Sequence, residues 1–337
     1  MKIEPQSDKK QRTKERTKRR RLIGAVLLLL LLVGDYTLYP MLSPMGGRSF
    51  DRGQNASWLR DRWYLGSETE AVASLAQRLT QERVRDAYFH VRFIKKDGSL
   101  RFHELENAHK VLWALKKAAP AIRPIAWVYI GNARGLTGVD LSNGKVRQKI
   151  VGEMKWLTEK CGFAGVQIDY EIVSEGDADL LKLLRETRIA VGPHKTLSLA
   201  TAMWLPPAFS AWGWSEKYFG EVSEHCDQIV VMAYDSALYF PRHYVWLVRQ
   251  QAIRVTRAVA ESNPKCRVLI GVPTYQDGGP SHHLHSENIL MALKGVREGL
   301  ASPAARPNVF AGVAIFADYS TDEKERAIYH RWWLQKD

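Results

Sequence analysis

The chain has 337 residues, 45% hydrophobic, 25% charged and 10% aromatic, which excludes wholesale disorder and collagen-like or low-complexity architectures. Three cysteines, none in a CxxC or CxxH spacing, are too few for a disulfide-stapled small fold and form no zinc-ribbon pattern. Of the net charge of +13, residues 1–21 contribute +7, with ten Lys/Arg against Glu4, Asp8 and Glu15, and the +6 left over the other 316 residues does not make a nucleic-acid patch the first reading.

Directly after Arg19-Arg20-Arg21 comes the uninterrupted apolar run LIGAVLLLLLLVG, Leu22 to Gly34. It continues through Asp35-Tyr36-Thr37-Leu38-Tyr39-Pro40-Met41-Leu42, with no A-x-A-like cleavage site. Residues 1–21 are therefore expected to be a basic cytoplasmic tail and 22–42 a single-pass membrane anchor, with a cleaved signal sequence as the alternative. The positive-inside rule puts everything after it on the extracytoplasmic side. Tyr36 and Tyr39 suit a lipid–water interface, and Asp35 must sit near the headgroups. Residues 43–55, rich in Gly, Ser and Arg, are expected to be a linker. Asn55-Ala56-Ser57 matches a glycosylation sequon.

From residue 56 to 337, β-rich runs alternate with helical ones. The expected strands are 58–64, 87–93, 125–130, 165–170, 196–201, 228–234, 268–272 and 309–316. Between them, apolar residues at three- and four-residue spacing predict helices over 68–82, 104–118, 145–158, 177–190, 244–260, 286–299 and 321–333. Strict alternation means parallel strands joined by right-handed crossovers. Eight units in this length give an α/β (β/α)8 barrel. The rival is a doubly wound open sheet. The first strand leads into Leu65-Gly66-Ser67-Glu68 with no Gly-rich phosphate loop, so no nucleotide cofactor is expected.

A barrel puts its chemistry at the C-terminal ends of the strands. The fourth strand reads Gly165-Val166-Gln167-Ile168-Asp169-Tyr170-Glu171. Alternation turns Val166, Ile168 and Tyr170 towards the helices, and Gln167, Asp169 and Glu171 towards the axis. Three polar groups on an axis that is normally apolar need a use or a partner. Two like charges there raise one pKa, which suits a general acid. The bland reading is an ion pair with an Arg, but no Arg stands at the matching end of a neighbouring strand. Other ends bring Trp204, Tyr234 with Asp235, Tyr275, and Phe316 with Asp318. Aromatics and acids on one rim suit a sugar, since rings stack on pyranoses and carboxylates bind hydroxyls and move protons. A Glu nucleophile after strand seven, the signature of a rival barrel chemistry, is missing from GVPTYQD.

The string GFAGVQIDYE at 162–171 resembles the fourth-strand D-G-x-D-x-D-x-E signature of glycoside hydrolase family 18. Met232-Ala233-Tyr234-Asp235 resembles that family's sixth-strand M-x-Y-D, and Gly312 to Phe316 its eighth-strand segment. The resemblance implies retaining, substrate-assisted hydrolysis beside an N-acetylhexosamine, without cofactor or metal. Glu171 would protonate the leaving oxygen, Asp169 would orient the 2-acetamido group and Tyr234 would hydrogen-bond its oxygen. Asp235, Gln167, Trp204, Tyr275, Phe316 and Asp318 would bind the sugar, and Gln167 can still hydrogen-bond Asp169. Ala164 and Gln167 replace the first two Asp of the signature, and Phe316 stands where the family usually has Trp. The implied partner is a polysaccharide or cell-wall glycan, and the alternative to an enzyme is a lectin-like barrel that binds without cutting. The oligomeric state stays open.

His282, His283, His285 and Glu287 follow Gly278-Gly279-Pro280 and match no zinc signature, so they are expected on a mobile surface loop rather than at a metal. Cys226 and Cys266 each lie just before a strand, at one level on the bottom face. A disulfide and two free thiols are both compatible with that placing.

Overall fold

The computed structural model describes residues 6–42, 49–172 and 175–334. The chain begins with the long helix α1 (Gln6–Leu42), and eight parallel strands follow: β1 (Asn55–Leu59), β2 (Val84–Phe93), β3 (Arg123–Gly131), β4 (Gly165–Glu171), β5 (Thr196–Thr201), β6 (Gln228–Met232), β7 (Arg267–Pro273) and β8 (Phe310–Phe316). They close in chain order into one barrel, the (β/α)8 arrangement that the alternation predicts. The connections carry α2 (Arg62–Leu65), α3 (Val72–Gln81), α4 (Leu105–Ala118), α5 (Gly144–Glu159), α6 (Ala178–Val191), α7 (Glu216–Ser223), α8 (Pro241–Ser262) and α9 (Ile289–Leu300). After β8 come α10 (Glu323–Tyr329) and a π-helical turn, His330–Leu334.

Two elements differ from the sequence reading. The first strand ends at Leu59, and Trp63 and Tyr64 lie buried on the short helix α2. The charged triplet Arg60-Asp61-Arg62 breaks the strand, and Gly66 at φ +72 stops the helix. Between β5 and β6 the helix α7 was not anticipated; its Ser215 side chain caps it by accepting from the Tyr218 amide.

Strand alternation makes two cores. Outward residues such as Val166, Ile168 and Tyr170 pack with Ile150, Met154 and Leu157 of α5 in the layer between sheet and helices. Inward residues form a second cluster in which Trp58, Tyr88 and Trp127 face Ala56, Ala311 and Ala314. Large rings opposite small residues fill the axis without strain. Polar layers cross it as well. At the bottom Arg123 grips Asp86 with two bonds of 2.7 and 2.8 Å, Gln228 donates to Asp86 at 2.9 Å, and the Tyr88 hydroxyl donates to Gln228 at 2.6 Å. Above it the Trp58 indole donates to Gln167 Oε1 at 2.7 Å, and Gln167 donates to Ser198 Oγ at 3.2 Å. Trp58→Phe keeps most of the volume but orphans that buried Gln167 oxygen. We expect it to cost about 1–3 kcal/mol in urea unfolding. An unchanged midpoint and slope would refute this.

The barrel closes through a short seam, Ala56 to Ala314 and Ser57 to Ile315. Asn55 latches it: its Oδ1 accepts from the Val313 amide at 3.1 Å and from the Trp333 indole at 2.9 Å, and its Nδ2 donates to Asp51 at 2.8 Å. Gly312 is required opposite, since a Cβ there would lie 2.5 Å from Asn55 Oδ1. The sequon asparagine is thus fully buried, and a glycan has no room on it in the folded barrel.

Cys226 and Cys266 are buried free thiols, as is Cys161. The hydrogen bond to Cys226, with burial, raises the Cys266 thiol well above its usual range.

Within α1, Lys14–Leu42 is long and apolar enough to cross a membrane, and none of its apolar stretch is covered by the barrel. Its last turns touch the barrel along one side only. Asp35 pairs with Arg242 at the start of α8 at 2.5 Å, Arg242 lies over the Tyr39 ring at 4.5 Å, and His285 bonds the Tyr36 carbonyl at 2.7 Å. Asp35 therefore has a cation as its partner, and Tyr36 and Tyr39 face protein.

Candidate active site

The β3–β4 ladder sets Tyr129 beside Asp169 and Gly131 beside Glu171, so both acids leave β4 on the axial face at its C-terminal end. Asp169 is 5% exposed. One carboxyl oxygen accepts from the Trp127 indole at 2.8 Å, and the other has no partner among the described residues. Burial, and then the neighbouring Glu171 charge, push the Asp169 carboxyl up to about 8. Burial and the Asp235 charge raise Glu171 as well. Both shifts favour the protonated forms, so the pair retains a proton more readily than free carboxyls do. The Glu171 carboxyl is half-buried and makes no hydrogen bond to a described residue, which leaves it open to an incoming group.

Beside this pair Tyr234 and Phe316 form two stacked rings, 4.9 Å apart and 13° from parallel. Phe316 also meets Trp58 edge-on at 5.5 Å, Trp127 at 6.3 Å and Tyr275 at 5.7 Å. Gly271 makes room for Tyr234, since a Cβ would stand 3.0 Å from the phenol ring and 2.9 Å from the Val231 carbonyl. Burial and the Asp169 charge raise the Tyr234 phenol well above its usual range, so it stays a donor. Beside it Asp235, at φ +57, accepts from the Tyr275 hydroxyl at 2.7 Å. An Asp tolerates this left-handed conformation better than most residues.

Glu171, Asp169, Tyr234, Asp235, Tyr275 and Phe316 are thus brought together, with Gln167 one layer below. Three expectations need correction. Gln167 bonds Trp58 and Ser198, and Asp169 bonds Trp127 in its stead. Asp318 is buried in a two-bond grip by Arg78, at 2.8 Å each, with Arg326 at 3.3 Å. β8 has ended by then, and the chain turns that carboxylate away from the axis. Trp204 lies beyond the end of β5 in the outer core, under Arg254 at 4.2 Å, with its backbone held by Gln251.

The sequence reading passed over Trp58 and Trp127, although both lie on the axial parity of their strands. It also placed His282 on a mobile surface loop, whereas that residue is 2% exposed. Its ring stacks on Tyr275 at 4.1 Å, with Nδ1 3.4 Å from Glu287 and 3.9 Å from Asp235. His283 stacks on Tyr239 and His285 meets α1, so the three imidazoles diverge.

The Asp169 shift has a measurable sign. A carboxyl protonated in the folded state and ionised in the unfolded one loses stability as pH rises, here between the ordinary value near 4 and about 8. Asp169→Asn mimics the protonated form. Its melting temperature should therefore gain on wild type as pH rises through that window, and a difference that is flat with pH would refute the shift.

No protein-family model matches the sequence, and no curated protein matches it. Solved structures do match in shape. The spore cortex-lytic enzyme SleL of Bacillus cereus aligns over 86% of this chain and 76% of its own, with TM-score 0.56 and 13% identity. A chitinase from Bacteroides thetaiotaomicron aligns over 82% and 93%, with TM-score 0.52 and 15% identity. A class V chitinase from Pseudomonas fluorescens Pf-5 aligns over 84% and 99%, with TM-score 0.56 and 12% identity. At such identities the likeness is one of fold: this chain has the (β/α)8 barrel of chitinases and of a spore cortex-lytic enzyme, with a pair of axial carboxyls at the mouth.

Proposed function

We propose that the chain is a retaining glycoside hydrolase that cleaves next to an N-acetylhexosamine, held at a membrane by α1 with its barrel on the extracytoplasmic side. The observation that carries this is the pair Asp169–Glu171 on the axial face at the end of β4, both carboxyls raised by burial, with the stacked rings of Tyr234 and Phe316 beside it. Glu171 gives its proton to the leaving glycosidic oxygen. As that bond breaks, the substrate's own acetamido oxygen attacks the anomeric carbon and closes a five-membered ring. The Asp169 carboxylate orients the acetamido N–H and stabilises its positive charge, and the Tyr234 hydroxyl donates to the acetamido oxygen. Water, deprotonated by Glu171, then opens the ring with net retention. Trp127 fixes Asp169 by its 2.8 Å bond. Family-level shape and three motifs support the reading, and so does the absence of a cation beside Asp169 among the described residues.

The test uses the full chain in detergent, with N-acetylhexosamine oligomers and solubilised wall glycan as substrates and NMR to read the anomer first released. The β product from a β-linked oligomer is expected. An α product would refute the mechanism. Binding without cleavage on every glycan would favour a lectin-like barrel. For the anchor, protease added to intact spheroplasts should digest the barrel; a protected barrel would refute the orientation, and a mature chain starting after residue 34 would refute the anchor.

A further inference from the structure

The catalytic pair shares a wall with a second space. A cavity of about 490 Å³ opens over the ends of β2 and β3, lined by His90, Arg92, Lys95, Lys96, Trp127 and Tyr129 among others. That volume suits a saccharide unit rather than a water cluster. Trp127 belongs to both spaces: its indole nitrogen holds Asp169, and its ring stacks under His90 at 4.1 Å and 25°. Burial lowers the His90 imidazole to about 4, so the stacked ring is neutral at pH 7. Tyr129 stands next to Asp169 in the ladder, and Leu136, 91% exposed, stands at the rim.

The charge in this cavity comes from a local departure of the backbone. β2 slips its register against β3 between His90 and Phe93, with Arg92 at φ +74. The chain then rises into a small hairpin closed by the Ile94–Leu100 bridge, which carries Lys95 and Lys96 at its tip. The acid of that tip, Asp97, is turned away: it accepts from Lys149 at 2.6 Å and from Ser99 at 2.7 Å. Arg92 gives one bond to Asp61 at 2.8 Å. Neither the Lys95 nor the Lys96 ammonium meets a carboxylate among the described residues. A neutral N-acetylhexosamine polymer offers these cations hydroxyl and amide oxygens but no counter-charge. A sugar with a carboxylate does.

We propose that this cavity is a subsite for an acidic sugar, so that the substrate is a glycan in which a carboxylate-bearing unit adjoins the cleaved N-acetylhexosamine. Lys95 and Lys96 hold the carboxylate, while Tyr129 and Leu136 flank the ring. This rests on the hydrolase reading for its cleavage point, but the binding preference is separable from turnover.

The experiment is titration calorimetry on full-chain Glu171→Gln in detergent, so that ligands bind without being cut. The probes are an alternating N-acetylglucosamine–N-acetylmuramic acid tetrasaccharide, a hyaluronan hexasaccharide that carries glucuronate, the methyl ester of each, and chitotetraose. Comparing the first two distinguishes a lactyl carboxylate from a uronate. At least one acid should bind about tenfold tighter than its own ester. The gap should shrink as salt rises from about 0.05 to about 0.5 M. A Lys95→Gln/Lys96→Gln double variant should abolish the gap and leave the ester's affinity as it was. Equal binding of acids and esters, a gap that survives in the double variant, or binding of chitotetraose alone would overturn the proposal. If wild type cleaves chitotetraose while acid and ester bind alike, the hydrolase reading stands and this one falls. Acid preference without any turnover by wild type leaves this one standing and sinks the hydrolase.

Discussion

Glu171→Gln is expected to lower kcat by about 10²–10⁴-fold, with KM changed by less than about threefold. The amide keeps the shape of the side chain but has no proton to give to the leaving oxygen. Ground-state contacts from Tyr234, Asp235, Tyr275 and Phe316 remain, so sugar affinity survives. The change also uncouples the pair, so the Asp169 carboxyl should shift down, while burial, the larger cause, still holds it above its ordinary value. Steady-state kinetics across pH reads both effects. Wild type should lose activity on the alkaline side, as the pair sheds its last proton. Equal rates for the two proteins on any cleaved glycan would remove Glu171 from the mechanism.

The second large effect is structural. Gly165→Ala puts a Cβ 2.2 Å from the Thr196 carbonyl oxygen of the neighbouring strand, where neither backbone can yield without breaking the β4–β5 ladder. Overpacking of this kind costs about 3 kcal/mol. For a barrel of this size that corresponds to a fall in melting temperature of about 6–12 °C. Because β4 carries both acids, the surviving folded fraction should also lose activity, whereas a purely global defect would leave specific activity per folded molecule intact. A melt within about 2 °C of wild type would show that the contact relaxes freely.

The architecture was legible because period-two alternation and period-3.6 spacing take turns along the chain. In β4, parity alone assigned Val166, Ile168 and Tyr170 to the helices, and Gln167, Asp169 and Glu171 to the axis. Parity fails where a strand stops. Trp63 and Tyr64 have strand-like side chains, but charged neighbours and Gly66 make that segment a helix. Trp204 and Asp318 lie beyond the last ladder pair, where no periodicity says which way a side chain points. Asp318 belongs to Arg78, which lies 240 positions earlier in the chain, and no local pattern carries such a pairing. Trp58 and Trp127 were readable in principle: each is an even step from Ala56 or Ile125 in its strand. The sequence offered no reason to rank them above the other aromatics until Gln167 and Asp169 were seen to need donors.

The short seam between β1 and β8 has a consequence in time. Asn55 bonds the Val313 amide across 258 positions of chain and the Trp333 indole across 278. At a synthesis rate of about 5–20 residues per second, roughly 10–50 s separate the appearance of the first strand from that of the last. Throughout that interval β1 can only be the bare edge of an open sheet, with unpaired amides and carbonyls that any other strand can take up. Chains cut short before Phe310 should therefore aggregate through that edge rather than accumulate as a partial barrel. Whatever keeps the nascent chain soluble has to guard the segment around Asn55 until the final turn, with Trp333, has been made.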